Sequence, residues 1–172
     1  MDVRRPKTDA DVEGLIRVHG LAWREAYDGI LPDNVRNAQP VDPTAEDVDR
    51  WRTRLDDACA DAFVAVVAGS VRGFVDVRWR EANTKSFVDE NEAELKAIYV
   101  HPDSWGDGIG TALLDRGLDA LPDWITTIRL ETLADNAIGV RFYEARGFER
   151  VDTTTRTFAG EEYPVDVYAR EL

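Results

Sequence analysis

Cysteine, histidine and long apolar runs are scarce in this sequence. Its 172 residues include one cysteine, Cys59, and two histidines, His19 and His101. A single cysteine excludes a disulfide framework, and these three side chains do not form a metal-ligand set. No run of about 18 apolar residues predicts a membrane-spanning helix, and no apolar run follows the charged N-terminal residues as in a signal peptide. We therefore expect a soluble cytoplasmic protein that binds neither metal nor membrane.

Positive charge is also scarce. Lys and Arg total 21 against 34 Asp and Glu, giving a formal net charge of −13 at pH 7. Nucleic acids and anionic lipids need an excess of Lys and Arg, so neither is an expected partner. An Asp-rich, Lys-poor chain suits concentrated salt, where a Debye length of about 3 Å at 1 M screens self-repulsion. The charge thus favours a salt-adapted protein; the alternative is an ordinary acidic one.

The length and the pattern of elements predict one domain over residues 1–172, since no repeat, linker or low-complexity tract divides the chain. Apolar periodicity and turn residues suggest eleven elements in the order β-α-α-β-β-β-α-β-α-β-β, a mixed α/β domain with one sheet and helices on both faces. The first part of the chain predicts a strand at residues 2–5, a helix from Thr8 or Asp9 to about Tyr27, and a helix over about Pro43–Ala58. The middle predicts two strands around a Gly69-Ser70 turn, a polar loop over 80–94, a strand over 94–102 and a helix over 111–121. The last part predicts a strand over 125–133, a helix from Asp135 or Asn136 closed by Gly147, and two antiparallel strands around residues 159–162.

A glycine-rich loop between a strand and a helix is the most unusual segment. Three glycines occur in five residues, at Gly106, Gly108 and Gly110. They let backbone amides converge at a helix N-terminus, an arrangement that binds phosphate or pyrophosphate without Lys or Arg. No Lys follows Gly110 as in a P-loop, and Leu113 stands where a Rossmann fingerprint has its third glycine. A turn that merely caps a helix, and a nucleotide-binding domain, remain alternatives at this point.

Two segments around this loop resemble the GNAT superfamily of N-acetyltransferases. ELKAIYVHPDSWGDGIGTALLD contains Trp105-Gly106-Asp107-Gly108-Ile109-Gly110, which resembles the family's pyrophosphate motif, (Arg or Gln)-x-x-Gly-x-(Gly or Ala), with Trp105 where Arg or Gln is usual. DNAIGVRFYEARGFE resembles its later helix motif. The residues that match this second motif are Asn136, Phe142, Tyr143, Gly147 and Phe148. The resemblance implies a single-domain GNAT-like fold of class α/β (α+β), with a central mixed, mostly antiparallel sheet flanked by helices on both faces.

The resemblance also implies site residues. Those implied to bind acetyl-CoA are Ile98, Tyr99, Val100, Trp105, Gly106, Asp107, Gly108, Ile109, Gly110, Thr111 and Asn136. Residues 98–100 would offer backbone N–H groups where their strand separates from its neighbour. Tyr143 would act as general acid, the alternative being a core aromatic. Glu94 would act as general base, the alternative being a water relay.

The implied reaction is direct transfer of an acetyl group from acetyl-CoA to a primary amine of a small molecule or protein, in a ternary complex. A non-catalytic acyl-CoA-binding sensor is the alternative. Trp23, Tyr27 and Trp51 either line the acceptor pocket or belong to the core. The sequence does not identify the amine, and it leaves open whether the chain is a homodimer.

Overall fold

One seven-stranded sheet with helices on both faces organises the computed structural model, which describes residues 1–172. The strands are β1 (Asp2–Arg4), β2 (Ala60–Val67), β3 (Ser70–Trp79), β4 (Glu92–Val100), β5 (Thr127–Leu133), β6 (Glu149–Phe158) and β7 (Glu161–Glu171). Their order is β1-β2-β3-β4-β5-β7-β6, and only the β4–β5 pair is parallel. The mixed, mostly antiparallel sheet is confirmed. A doubly wound nucleotide-binding fold, whose sheet is mostly parallel, is excluded.

The helices are α1 (Asp9–Ala26), α2 (Asp33–Arg36), α3 (Ala45–Leu55), α4 (Ile109–Asp119) and α5 (Ala137–Glu144). Capping boxes start α1 and α3, at Thr8 and Thr44. In each box, the threonine hydroxyl accepts the amide of an aspartate three residues on, and that carboxylate accepts the threonine amide. α3 is therefore shorter than the predicted helix over Pro43–Ala58, since Thr44 caps its start and Asp56 caps its end. None of the helices is long and apolar enough to cross a membrane.

Both predicted hairpins exist, but the first turn is shifted by one residue and the second is shorter than predicted. The first turn is Ala68-Gly69, with φ of 49° and 80°, and the second is Ala159-Gly160, with φ of 50° and 81°. Two consecutive positive φ values are typical of two-residue type I′ turns, whose twist matches that of the flanking strands. An alanine as first turn residue disguised this geometry, so the predicted Gly69-Ser70 turn was wrong by one residue.

Two further boundaries differ from the predictions. β4 begins at Glu92, within the predicted polar loop, because the Glu92 carboxylate is neutralised by Arg129 of β5 at 2.7 Å. α5 ends at Glu144 with Ala145 as its cap, so Gly147, with φ of 82°, lies two residues beyond the cap instead of directly after it.

The sheet carries a separate apolar core on each face. α4 and α5 pack on one face over side chains such as Phe63, Val75 and Ile128, and α1 and α3 pack on the other over Val64 and Phe74. A fully buried side chain of this size contributes roughly 1.5–3 kcal/mol. The α4/α5 face and the α1/α3 face are the two sides between which the candidate site lies.

A gap opens between the parallel strands β4 and β5 in the middle of the sheet. They pair only where Glu92–Glu94 lies beside Thr127–Arg129. On its other edge β4 stays paired with β3 as far as Val100, with a register shift beside Lys96. One edge of residues 95–100 therefore has no strand partner, and alternate backbone groups of that stretch face the gap.

Candidate active site

A cavity of about 340 Å³ passes through the gap between β4 and β5. Its lining comes from both faces of the sheet: Ala22 and Ala26 of α1 with the capping residue Tyr27 on one side, and the first turn of α4 with α5 on the other. Ten of the eleven residues implied to bind acetyl-CoA line it: Ile98, Tyr99, Val100, Trp105, Gly106, Gly108, Ile109, Gly110, Thr111 and Asn136. Segments that are far apart in the chain thus meet at one site.

Asp107 is the exception among those eleven. It is exposed and does not line the cavity, and its amide donates to the Ser104 carbonyl at 3.4 Å. Its backbone donor is therefore used inside the loop, and its carboxylate lies outside the cavity.

The glycine loop presents free backbone donors to the cavity. Gly106 and Gly108 have φ of 90° and 80°, and nothing lies within 4 Å of where a Cβ atom would stand on either. Gly108 is the N-cap of α4 and has no side chain to accept a hydrogen bond. The first intrahelical bond runs from the Ala112 amide to the Gly108 carbonyl at 3.1 Å, so the amides of residues 109–111 have no acceptor within the helix. This geometry suits a phosphate group.

Gly110 and Trp105 hold the loop in place. A Cβ atom on Gly110 would stand 2.9 Å from Phe142 Cε2, so glycine allows α4 to pack closely against α5. Trp105 Nε1 donates to the Val100 carbonyl at 2.8 Å, which ties the loop to the end of β4. The indole donor is thus occupied within the protein and does not replace the Arg or Gln usual at this position.

Tyr143 lies on α5 and lines the cavity between the two sides. Its ring packs edge-on against Phe142 and Phe148, at centroid distances of 5.5 and 5.9 Å. Burial, followed by the nearby Tyr99 hydroxyl, raises the pKa of Tyr143 above its usual value. The phenol is therefore protonated at neutral pH and can donate a proton. Tyr143 is also part of the aromatic packing, so its position is compatible with both a general acid and a core aromatic.

An aromatic cluster from α1 supports Tyr99 on the opposite side. Trp23 Nε1 donates to Tyr99 Oη at 3.0 Å, and Tyr27 Oη lies 3.4 Å from the same oxygen. His19 packs edge-on against the Tyr99 ring at 5.0 Å, and burial lowers the pKa of His19 to about 4. Of the three aromatics proposed for the acceptor pocket, only Tyr27 lines the cavity, while Trp51 packs in the α1/α3 core.

Glu94 lies on β4 and faces the α1 side of the sheet, because its neighbours Ala93 and Leu95 belong to the core on the α4/α5 face. It is 2% exposed and does not line the cavity. Its carboxylate accepts the Lys85 amide at 2.9 Å and lies 3.6 Å from Lys96 Nζ. Burial raises the pKa of Glu94, and Lys96 opposes that shift. Lys96 does line the cavity, so Glu94 reaches the cavity only through this lysine.

Glu131 is a carboxylate that the sequence analysis missed. It lies on β5, lines the cavity, and accepts two hydrogen bonds from the Arg156 guanidinium, both at 2.7 Å. Its alternation with the core residue Leu130 places it on the α1 side of the sheet, but nothing local distinguishes it from any charged strand residue. Arg146, which also lines the cavity, was missed too.

Asn136 begins α5 as predicted. Its Oδ1 accepts the Gly139 amide at 3.1 Å, and its Nδ2 donates to Thr132 Oγ1 at 3.3 Å. The capping role is confirmed, and the side chain also lines the cavity.

The free amides of the glycine loop and the unpaired edge of β4 fit an elongated ligand that carries phosphate and amide groups. Acetyl-CoA is such a ligand. No group of three or more His, Cys, Asp and Glu side chains is arranged to hold a metal ion.

Known proteins share this sequence pattern and this fold. The uncharacterized N-acetyltransferase YuaI of Bacillus subtilis is 28% identical over 159 residues, covering 92% of this chain and 86% of its own. A mycothiol acetyltransferase of Kineococcus radiotolerans is 30% identical over 113 residues, 66% of this chain. The alignment spans only 35% of that longer relative. PaiA N-acetyltransferase from Thermoplasma acidophilum, in a crystal structure with coenzyme A, has the same fold, with a TM-score of 0.69 at 21% identity over 100% of both chains.

The match to a family model covers both motifs. The model describes the acetyltransferase (GNAT) family and matches residues 18–148, from α1 to the end of the α5 motif at Phe148. Its range includes β4, the glycine loop and every cavity residue named above. Arg156, which binds Glu131 but does not line the cavity, lies outside the range. The chain belongs to the acetyltransferase (GNAT) family.

Proposed function

We propose that this protein transfers an acetyl group from acetyl-CoA directly to a primary amine, with both substrates bound at once. One observation carries the proposal: a single cavity joins the glycine loop on one face of the sheet to Lys96 and Glu131 on the other. A ligand on each side can therefore meet at the β4–β5 gap. The acceptor is a small molecule or a protein amine, and the acidic surface favours a cationic one.

On the first side, backbone groups bind the cofactor. The free amides of residues 109–111 hold its pyrophosphate, and the free edge of residues 98–100 pairs with its amide-containing arm. Acetyl-CoA, when bound, supplies the activated acetyl thioester. Backbone donors at the gap are oriented before any ligand arrives, which is what stabilises developing negative charge on an oxygen.

Side chains from both sides handle the protons. Tyr143 holds a proton at Oη that a leaving thiolate requires. Glu131 is the carboxylate positioned to receive a proton from the acceptor amine, because it lines the cavity and Arg156 orients it. Glu94, the base implied by the sequence, supports the acceptor side (the α1 side) through Lys96. Direct transfer is supported by the position of Cys59, the chain's one cysteine, which lies in a separate groove with Arg80 and Trp124 and so offers no thiol at the cavity for an acetyl-cysteine intermediate.

Thiol release from acetyl-CoA with a panel of primary amines, run in concentrated KCl, tests the proposal. We expect turnover with at least one amine, and about a 100-fold loss of turnover in Tyr143→Phe, which keeps the ring but removes the hydroxyl. Tyr168→Phe is the matched control, because Tyr168 is a buried neighbour of Tyr143 that does not line the cavity. Tight acetyl-CoA binding without turnover on any amine would instead support the non-catalytic sensor.

A further inference from the structure

Arg146 is the one cationic side chain beside the glycine loop. Only two of the residues that line the cavity carry a positive charge, Arg146 and Lys96. Lys96 is occupied on the acceptor side, where its Nζ donates to the Asn83 carbonyl at 2.7 Å and lies beside Glu94. The loop itself contains no cation, and the Trp105 indole donates to the Val100 carbonyl. Any positive side chain that meets a phosphate at the loop must therefore come from outside it.

Three contacts hold the Arg146 guanidinium against the first turn of α4. Its Nη2 donates to Thr111 Oγ1, and its Nη1 donates to the Phe142 carbonyl at 2.9 Å. The guanidinium carbon stacks 3.7 Å from the centroid of the Phe142 ring. Because Phe142 also packs against Gly110, these contacts place the charge where the free amides of α4 begin.

The guanidinium nevertheless has unused donors and no counter-charge. Arg146 Nε is buried without a hydrogen-bond partner, and no carboxylate forms a salt bridge with this residue. A buried donor without an acceptor costs free energy. The Nε atoms of Arg24 and Arg36 are also buried without a partner, but neither of those residues lines the cavity. In Arg146, Nη1 and Nη2 each keep a second N–H beyond their bonds to Phe142 and Thr111, and two such donors form the planar fork that binds two oxygens of a phosphate.

We propose that Arg146 binds the pyrophosphate of CoA, supplying the side-chain cation that Trp105 does not provide. The inference rests on the proposed function, because it takes the cavity as the CoA site. Arg146 lies 35 residues from Thr111 in sequence, so only the packing of α5 against α4 brings it to the loop.

The test compares three ligands that differ in their phosphates. Calorimetric dissociation constants are measured for CoA, dephospho-CoA and acetyl-pantetheine at a fixed 1 M KCl. In Arg146→Met, which keeps an aliphatic stem over Phe142, we expect affinity for CoA and dephospho-CoA to fall about 10- to 100-fold. Affinity for acetyl-pantetheine, which has no pyrophosphate, should change less than about twofold. Arg146→Lys, which keeps the charge without the fork, should lie between wild type and Arg146→Met.

Arg116→Met is the matched control. Arg116 is also partly buried and stacks on a phenylalanine, with its guanidinium carbon 4.2 Å from the Phe63 centroid, but it does not line the cavity. Its replacement should leave all three affinities unchanged. Equal losses for CoA and acetyl-pantetheine in Arg146→Met would overturn the proposal and leave a packing role. A loss seen with CoA but not with dephospho-CoA would also overturn it, since the contact would then be to the 3′-phosphate. Failure of the wild-type protein to bind CoA would instead overturn the proposed function itself.

Discussion

The two sides of the β4–β5 gap differ in the chemical groups that form the site. On the α4/α5 side, the site consists mainly of backbone amides, held by glycines at Gly106 and Gly108 and by the start of a helix. On the α1 side, it consists of side chains from separate strands, with Glu131 bound to Arg156 and Lys96 beside Glu94. The first side therefore has the chemistry of a general cofactor site. The second has the side-chain charges that we propose select the acceptor.

Substitution of Gly108 should have the largest of the expected effects, a loss of CoA affinity on the cofactor side. Gly108→Val places a branched side chain where φ is 80° and where open space now admits a ligand. We expect CoA affinity to fall at least about 1,000-fold, because amide hydrogen bonds to a charged phosphate contribute about 1.5–3 kcal/mol each. Isothermal titration calorimetry measures this loss. The control is Gly69→Val, at the same φ of 80° in the β2–β3 turn, which should suffer similar backbone strain and keep its affinity. A folded Gly108→Val protein that binds CoA as tightly as Gly69→Val would contradict the prediction.

Replacement of a carboxylate by an amide on the acceptor side should impair the reaction with the amine without changing the affinity for CoA. Glu131→Gln removes the charge that lines the cavity, so we expect kcat/KM for the amine to fall about 100-fold with CoA affinity unchanged. Glu94→Gln is the matched comparison on the neighbouring strand, and a smaller loss is expected because Glu94 does not line the cavity. Steady-state kinetics across pH distinguishes the two variants. A larger loss in Glu94→Gln would return the role of base to the residue implied by the sequence.

Acid should weaken the α1 side through His19. Burial lowers the folded-state pKa of His19 to about 4 from an ordinary value of 6.5. Between these values, the unfolded chain binds a proton that the folded chain does not, so stability is lost as pH falls through this window. The contribution is about 1.4 kcal/mol per pH unit. Chemical denaturation at pH 7 and pH 4.5 measures it, and His19→Phe should lose less stability over that interval than wild type. An identical pH dependence in both proteins would rule out His19 as the cause.

The concentration of salt should have the smallest of these effects, a moderate change in CoA affinity. In 0.01 M salt the Debye length is about 30 Å, so all 13 excess negative charges repel an incoming CoA. In molar KCl only contacts within a few ångströms persist, and the glycine-loop amides and Arg146 are among them. We expect CoA affinity to rise about 3- to 10-fold between 0.1 M and 2 M KCl, and the midpoint of unfolding to rise as well. Tighter binding and full stability at 0.1 M would contradict the salt adaptation expected from the sequence, but not the proposal of acetyl transfer.

Local sequence determined the cofactor side almost completely. The glycine spacing, the N-cap at Asn136 and the strand ending at Val100 each depend on interactions within a few residues, so their pattern was visible in the chain. The same local logic identified both hairpins, and it misplaced the first turn only because Ala68 adopts a positive φ that alanine seldom does.

Only the tertiary structure decided which charged residues form the acceptor side. Glu131, Arg156 and Lys96 lie in strands whose patterns look alike, and the sheet order brings β4, β5 and β6 into one neighbourhood. Arg146 reaches the glycine loop for a similar reason, since α5 packs against α4. Sequence specifies contacts between near neighbours because their geometry follows from the backbone. Contacts between distant segments depend on how all the strands pair and on where β4 and β5 separate. No short sequence motif specifies this pairing.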